Sequence, residues 1–310
     1  MKKFSSITYR SKRNCVIALG CFDGVHLGHA HVIREAKRIS DELGCCCTVW
    51  TFDEPPKNYF LANPVPLLAD GDEKVRLIKE LGADVLVSVP FIKETASMSA
   101  ESFFYDVLKD RLQAVHLVCG FDYSFGVGGK GNVELLRRLC EECGIGLTVV
   151  PAIKLDGKQI SSSSIREALE QGQVDRASLL LGRPYFLETV VISGQHLARK
   201  RGFPTLNQEV PAKLAVPKHG VYVTKITIKG NRKKFYGITN VGIRPTVGGT
   251  ALFAETHIFD FTGDLYGRSV KVEFLKFIRP EQKFEGLDAL TTQVTSDISV
   301  ARDYINELNK

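Results

Sequence analysis

Two histidines three residues apart, His26 and His29, stand in the segment GCFDGVHLGH, which follows an apolar run and opens a stretch with helical spacing. A helix N-terminus presents unpaired backbone N–H groups and a partial positive charge to a phosphate. Gly20, Gly24 and Gly28 let the backbone bend and let a phosphate approach with no Cβ in the way. Residues three apart share a helix face, so both rings can donate to the phosphates of one nucleotide. The competing readings are a strand-to-helix turn with a surface histidine pair, and a metal site that adds His31.

A second group lies in ISSSSIREAL, residues 160–169, where serines precede a helical pattern and Arg166 falls in its first turn. Ser164 and Glu167 fit a capping box, which accounts for one serine. The other hydroxyls and the arginine suit charge developing on a transferring phosphoryl group. Asp122 and a glycine-rich turn follow a strand candidate in CGFDYSFGVGGKGN, residues 119–132, where a surface loop is the plain alternative. Neither G-x-x-x-x-G-K-[ST] nor G-x-G-x-x-G is present, which disfavours a P-loop kinase and a nicotinamide-dependent dehydrogenase.

Further along, RGFPTLN offers Thr205 and Asn207. In an extended chain their side chains point the same way and bring two neutral oxygens to one place, as Mg²⁺ coordination with phosphates and water requires. A capped turn explains the same residues. Glu255, in the apolar strand candidate AETHIFDF, has the chemistry of a general base for an attacking hydroxyl, or of a solvated strand carboxylate.

The elements that must position these residues differ between the two parts of the chain. In the first, strand candidates at Cys15 to Leu19, Cys46 to Phe52, Val85 to Val89, His116 to Cys119 and Leu147 to Val150 alternate with helical stretches, the pattern of an α/β domain with a parallel sheet. After helical stretches that end near Gly182 the pattern changes. Val270, Val272 and Phe274 alternate with Lys271 and Glu273. With Tyr185 to Ser193, Val221 to Ile228, Phe235 to Val241 and Phe253 to Phe261, five or six antiparallel strands predict a small closed β-barrel. A terminal helix spans Gly286 to Leu308. The expected domains are 1–182 and 183–310.

The chain has 310 residues, 44% hydrophobic and 25% charged, enough for about two cores. Its apolar runs are far shorter than the roughly 20 residues of a membrane-spanning helix, and the basic start lacks the pattern of a signal peptide. A soluble, cytoplasmic protein with no membrane partner is expected. Eight cysteines, three of them consecutive, read as free thiols, and the CxxC at Cys140 and Cys143 has no second ligand pair for zinc. The net charge of +6 is dispersed among 35 acidic residues, which suits anionic small substrates and does not call for nucleic acid.

Taken in order, GCFDGVHLGH, CGFDYSFG and ISSSSIREAL resemble the FMN adenylyltransferase module of bacterial bifunctional riboflavin kinase/FAD synthetases, which is related to HxGH nucleotidylyltransferases. RGFPTLN, GVYVTKI, GITNVGIRPTVG, AETHIFDFTGDLYG and IRPEQKFEGLDAL resemble the riboflavin kinase module of the same family. The resemblance implies riboflavin, FMN and ATP as substrates, with Mg²⁺. In the first module it implies that His26 and His29 stabilise the ATP α-phosphate, and that Ser161, Ser162 and Ser163 with Arg166 hold the phosphates. Gly20, Asp23 and Gly24 would belong to the nucleotide site, and Asp122 and Phe125 to the flavin site. In the second module it implies Thr205 and Asn207 as ligands of Mg²⁺-ATP, Glu255 as the base for the riboflavin 5′-hydroxyl, Gly202 at the ATP, and Arg279 near the flavin. The chain departs from the family with Ser163 for threonine, Tyr123 for phenylalanine, Leu206 for alanine, DEPP at 53–56 where a histidine is common, and Lys200-Arg201 before Gly202.

Overall fold

The computed structural model describes residues 1–192, 203–231, 233–246 and 249–310. The chain divides into two compact units, Met1–Ser162 and Ser163–Lys310.

The first unit is built on β1 (Lys2–Phe4), β2 (Cys15–Leu19), β3 (Cys46–Phe52), β4 (Val85–Val89), β5 (Ala114–Gly120) and β6 (Gly146–Val150), in the order β1-β4-β3-β2-β5-β6. Every pairing is parallel. Strands covered on both faces read as continuous apolar runs, and all five residues of β2 and of β4 are buried. Helices α1 (Leu27–Leu43) and α2 (Gly71–Glu80) supply Ile33, Ala36, Leu77 and Ile78 to the core on one face. On the other face pack Phe104, Val107 and Leu108 of a π-helical segment, Phe103–Arg111, which continues the short α4 (Ala100–Ser102) after α3 (Lys93–Ala96), and Leu136 and Leu139 of α5 (Val133–Cys143). A two-stranded hairpin, β7 (Lys154–Leu155) and β8 (Lys158–Gln159), follows the sheet. The strand order reverses at β2: successive strands run outward through β3 and β4, then β5 is laid on the opposite side. The carboxyl ends of β2 and β5 therefore form the crevice at which open α/β sheets bind ligands.

The second unit opens with α6 (Ser162–Glu170), whose first residue closes the first unit, and α7 (Val174–Leu181). A closed antiparallel barrel follows, made of β9 (Phe186–Ile192), β10 (Thr205–Glu209), β11 (Gly220–Ile228), β12 (Lys234–Thr246), β13 (Gly249–Ile258) and β14 (Ser269–Pro280), ordered β10-β13-β12-β11-β14-β9. Val191, Leu206, Ile226, Ile258 and Val272 fill its interior. Three wholly buried threonines cross that interior as a hydroxyl chain, Thr224 to Thr239 and Thr239 to Thr256, each step 2.8 Å. The terminal α8 (Leu287–Leu308) covers part of the outer wall, with Ala301 and Ile305 against Val221, Val223 and Ile238.

The expected capping box at Ser164 is corrected: α6 starts at Ser162, so Ser164 lies inside its first turn. Four adjacent serines are equally able to cap, and the sequence alone does not choose among them. No helix among the described residues is long and apolar enough to cross a membrane.

Candidate functional site

The turn between β2 and α1 is strained. Phe22 and Val25 have φ of 51° and 40°, which β-branched valine rarely adopts, and Gly24 has φ of 74°. His26 is the N-cap of α1: its Nδ1 accepts the backbone N–H of His29 at 3.3 Å, and the two rings stack with centroids 3.5 Å apart. A Cβ at Gly28 would stand 3.2 Å from the His26 ring, so glycine there leaves room for the stack. Burial first, then the neighbouring His26 and Lys74, push the His29 imidazole well below its ordinary pKa, while a hydrogen bond with the Asp23 backbone works the other way. The ring is therefore neutral near pH 7.

A cavity of about 540 Å³ opens beside this turn. It gathers Gly20, His26, His29, Asp122, Phe125, Ser161 and Ser162, all seven of them sequence candidates. The Oγ of Ser162, the last residue of the first unit, donates to Asp23 O of the histidine turn at 3.2 Å. Two buried nitrogens of the lining, His29 Nδ1 and Trp50 Nε1, have no hydrogen-bond partner. The rest of the lining was not anticipated. Phe52, Phe60, Phe91, Phe121 and Tyr123 also line the cavity, with Phe52 and Phe91 edge-to-face at 5.0 Å. The signal was the density of aromatic residues in 50–60 and 121–125.

Asp23 and Gly24 do not line the cavity. The buried Asp23 accepts the Leu68 N–H at 3.0 Å, and Gly24 packs where a Cβ would meet Leu68 at 2.7 Å. Both shape the turn. Ser163 and the buried Arg166 continue along α6 in the second unit.

On the barrel, the β10 register sets Asn207 opposite Glu255 and Thr205 opposite His257, while the β12 register sets Asn240 opposite Glu255. Paired residues share a face. Leu206 and Gln208 alternate with these into the interior, where Gln208 Nε2 donates to Thr189 O at 3.0 Å and Val270 O at 2.8 Å. Thr205, Asn207, Asn240 and Glu255 thus lie on one outward patch. Burial raises the pKa of Glu255, an ion pair with Arg244 opposes that, and Glu281 adds to the rise. The sequence reading did not identify Asn240, Arg244 or Glu281: strand register sets Asn240 opposite Glu255, Arg244 reaches it as an ion pair, and Glu281 follows the end of β14.

Arg279 lies on β14 with its guanidinium engaged: Nε and Nη2 reach Asp297 of α8 at 3.0 and 2.8 Å, and Nη1 reaches Pro280 O. Gly202 lies outside the described residues. Among the described residues no three His, Cys, Asp or Glu side chains form a metal cage, and all eight cysteines are free.

The FAD synthetase family matches residues 8–164, and the riboflavin kinase family matches residues 181–305. A bifunctional riboflavin kinase/FMN adenylyltransferase from Bacillus subtilis is 38% identical over 95% of this chain and 94% of its own length. One from Haemophilus influenzae is 35% identical, over 96% of each chain. A crystal structure described as a macrolide-efflux protein from Streptococcus pneumoniae, 30% identical, superposes with a TM-score of 0.87 over 97% of this chain and 98% of that one. With both halves matched in order and near-complete coverage on either side, the chain belongs to the bifunctional riboflavin kinase/FMN adenylyltransferase family.

Proposed function

We propose that the barrel transfers the ATP γ-phosphoryl group to the riboflavin 5′-hydroxyl, giving FMN and ADP. The α/β unit then joins the FMN phosphate to the ATP α-phosphorus and releases pyrophosphate, giving FAD. The observation that carries the second step is the stacked histidine pair lining a cavity that is also lined with aromatic side chains. An imidazole N–H donates to a phosphate without a protein nucleophile, and positioning with charge stabilisation accounts for such transfers. Ser161 and Ser162 supply hydroxyls beside them, with Arg166 further along α6, and the aromatic lining, with Phe125 and Asp122, suits a flavin ring.

In the barrel, Glu255 takes the hydroxyl proton as phosphorus is attacked, and its raised pKa favours that role near neutral pH. Thr205 and Asn207 present hard, neutral oxygens beside this carboxylate, a donor set that fits Mg²⁺ bound together with ATP phosphates. The ion would neutralise phosphate charge. Arg279, braced by Asp297, lines the flavin side, and Gly202 is assigned to ATP binding. We assign 1–182 to adenylylation and 183–310 to phosphorylation, a division supported by the start of the riboflavin kinase match at residue 181, and place the protein in the cytoplasm. Incubating the purified chain with riboflavin, ATP and Mg²⁺ should yield FMN and then FAD with pyrophosphate on chromatography. FMN formation without FAD from supplied FMN would remove the second assignment.

A further inference from the structure

Lys74, on α2, is 6% exposed, although lysine is almost never fully buried unless paired. Its ammonium donates to Cys21 O at 2.7 Å, to Phe52 O at 2.7 Å and to Thr51 Oγ1 at 3.1 Å, which uses all three of its donors. Thr51 Oγ1 in turn donates to Cys21 O at 2.7 Å. Cys21 opens the histidine turn just beyond β2, and Phe52 ends β3; both residues line the cavity. One buried cation therefore fastens together the exits of two adjacent strands at the ligand crevice. A pocket built for stability alone is served as well by an apolar side chain. The charged and titratable groups around it are Cys21 and Asp23 on the turn, Asp53 after β3, Lys3 on β1 and His29 on α1.

We propose that Lys74 is a positioning residue for adenylyl transfer, clamping the exits of β2 and β3 so that the turn between β2 and α1 holds His26 and His29 in register with the α-phosphate. The inference rests on the adenylylation reading above. Displacement of catalytic groups by about 1 Å costs on the order of 100-fold in rate. Lys74→Met should therefore lower kcat for FAD formation from FMN by about that factor, with a smaller change in KM for ATP. Riboflavin phosphorylation by the same polypeptide should be unchanged. Loss of a neighbouring positive charge favours the imidazolium, so the His29 ring resonance should titrate at a higher pH than in the wild type. A folded Lys74→Met protein with wild-type kcat, or one impaired only in KM, overturns the proposal. If Lys74→Met does not fold, Thr51→Val removes one arm of the same node at nearly constant shape. A several-fold loss of kcat in that variant supports the clamp, and wild-type kcat overturns it. Absence of FAD formation by the wild-type chain would sink the adenylylation reading and the proposal together, whereas FAD formation unimpaired in the variants sinks the clamp alone.

Discussion

Because His26 Nδ1 accepts the His29 backbone N–H, the ring caps α1 and the proposed donor to the phosphate is its Nε2. Replacing it with alanine removes one donor from the developing charge. His26→Ala should lower FAD formation by about 100-fold or more and leave riboflavin phosphorylation intact, as steady-state assays of each half-reaction will show. His29 is held neutral well below the ordinary imidazole range, so protonation of its ring should not limit adenylylation between pH 6.5 and 7.5. Glu255 behaves in the opposite sense. Its carboxyl must be ionised to act as a base, and burial raises its pKa, so kinase activity should fall on acidification at a pH above the usual carboxylate range. Arg244 lowers that pKa, and Arg244→Ala should move the acid limb of the kinase pH profile further up. A limb that stays in place in a folded variant would separate Arg244 from the base.

At the scale of elements, the buried parallel strands were the most legible part, because β2, β3 and β4 are apolar runs bounded by polar turns. β1 was not, since two of its three residues are lysines and only pairing with β4 defines it as a strand. The closed barrel was legible in its strand alternation, but its polar interior was not: Thr224, Thr239, Thr256 and Gln208 occupy interior positions where alternation predicts apolar residues, the threonines bonding one another and Gln208 bonding the Val270 carbonyl. Thr205 and Asn207 were correctly read as sharing a direction, while Asn240 and Arg244, which approach Glu255 from its other side, come from β12, far along the chain. The Arg279–Asp297 pair joins β14 to α8 with Asp297 only 2% exposed. Removing one partner of a buried pair costs about 3–5 kcal/mol, so Asp297→Ala should lower the unfolding free energy of the second unit by roughly that amount in denaturant titration. A change of a few tenths would mean that solvent already screens the contact.

For the whole molecule, the two compact units hold different residue groups, a stacked histidine pair in one and a carboxylate beside Thr205 and Asn207 in the other, on which the two proposed sites rest. Both steps handle ATP phosphates, so chelation of divalent cations should stop both, and Mg²⁺ should restore both, when FMN and FAD are quantified separately. The site residues were legible where a motif is contiguous, as in GCFDGVHLGH, and not where burial or register assembles them, as for Lys74 and Arg244. The most direct test of two independent sites is to mix His26→Ala protein with Glu255→Gln protein and supply riboflavin and ATP. Each variant alone should form little FAD, the first halting at FMN and the second at riboflavin, while the mixture should make FAD through released FMN. A mixture no better than its components, with each variant defective in both half-reactions, would contradict the assignment.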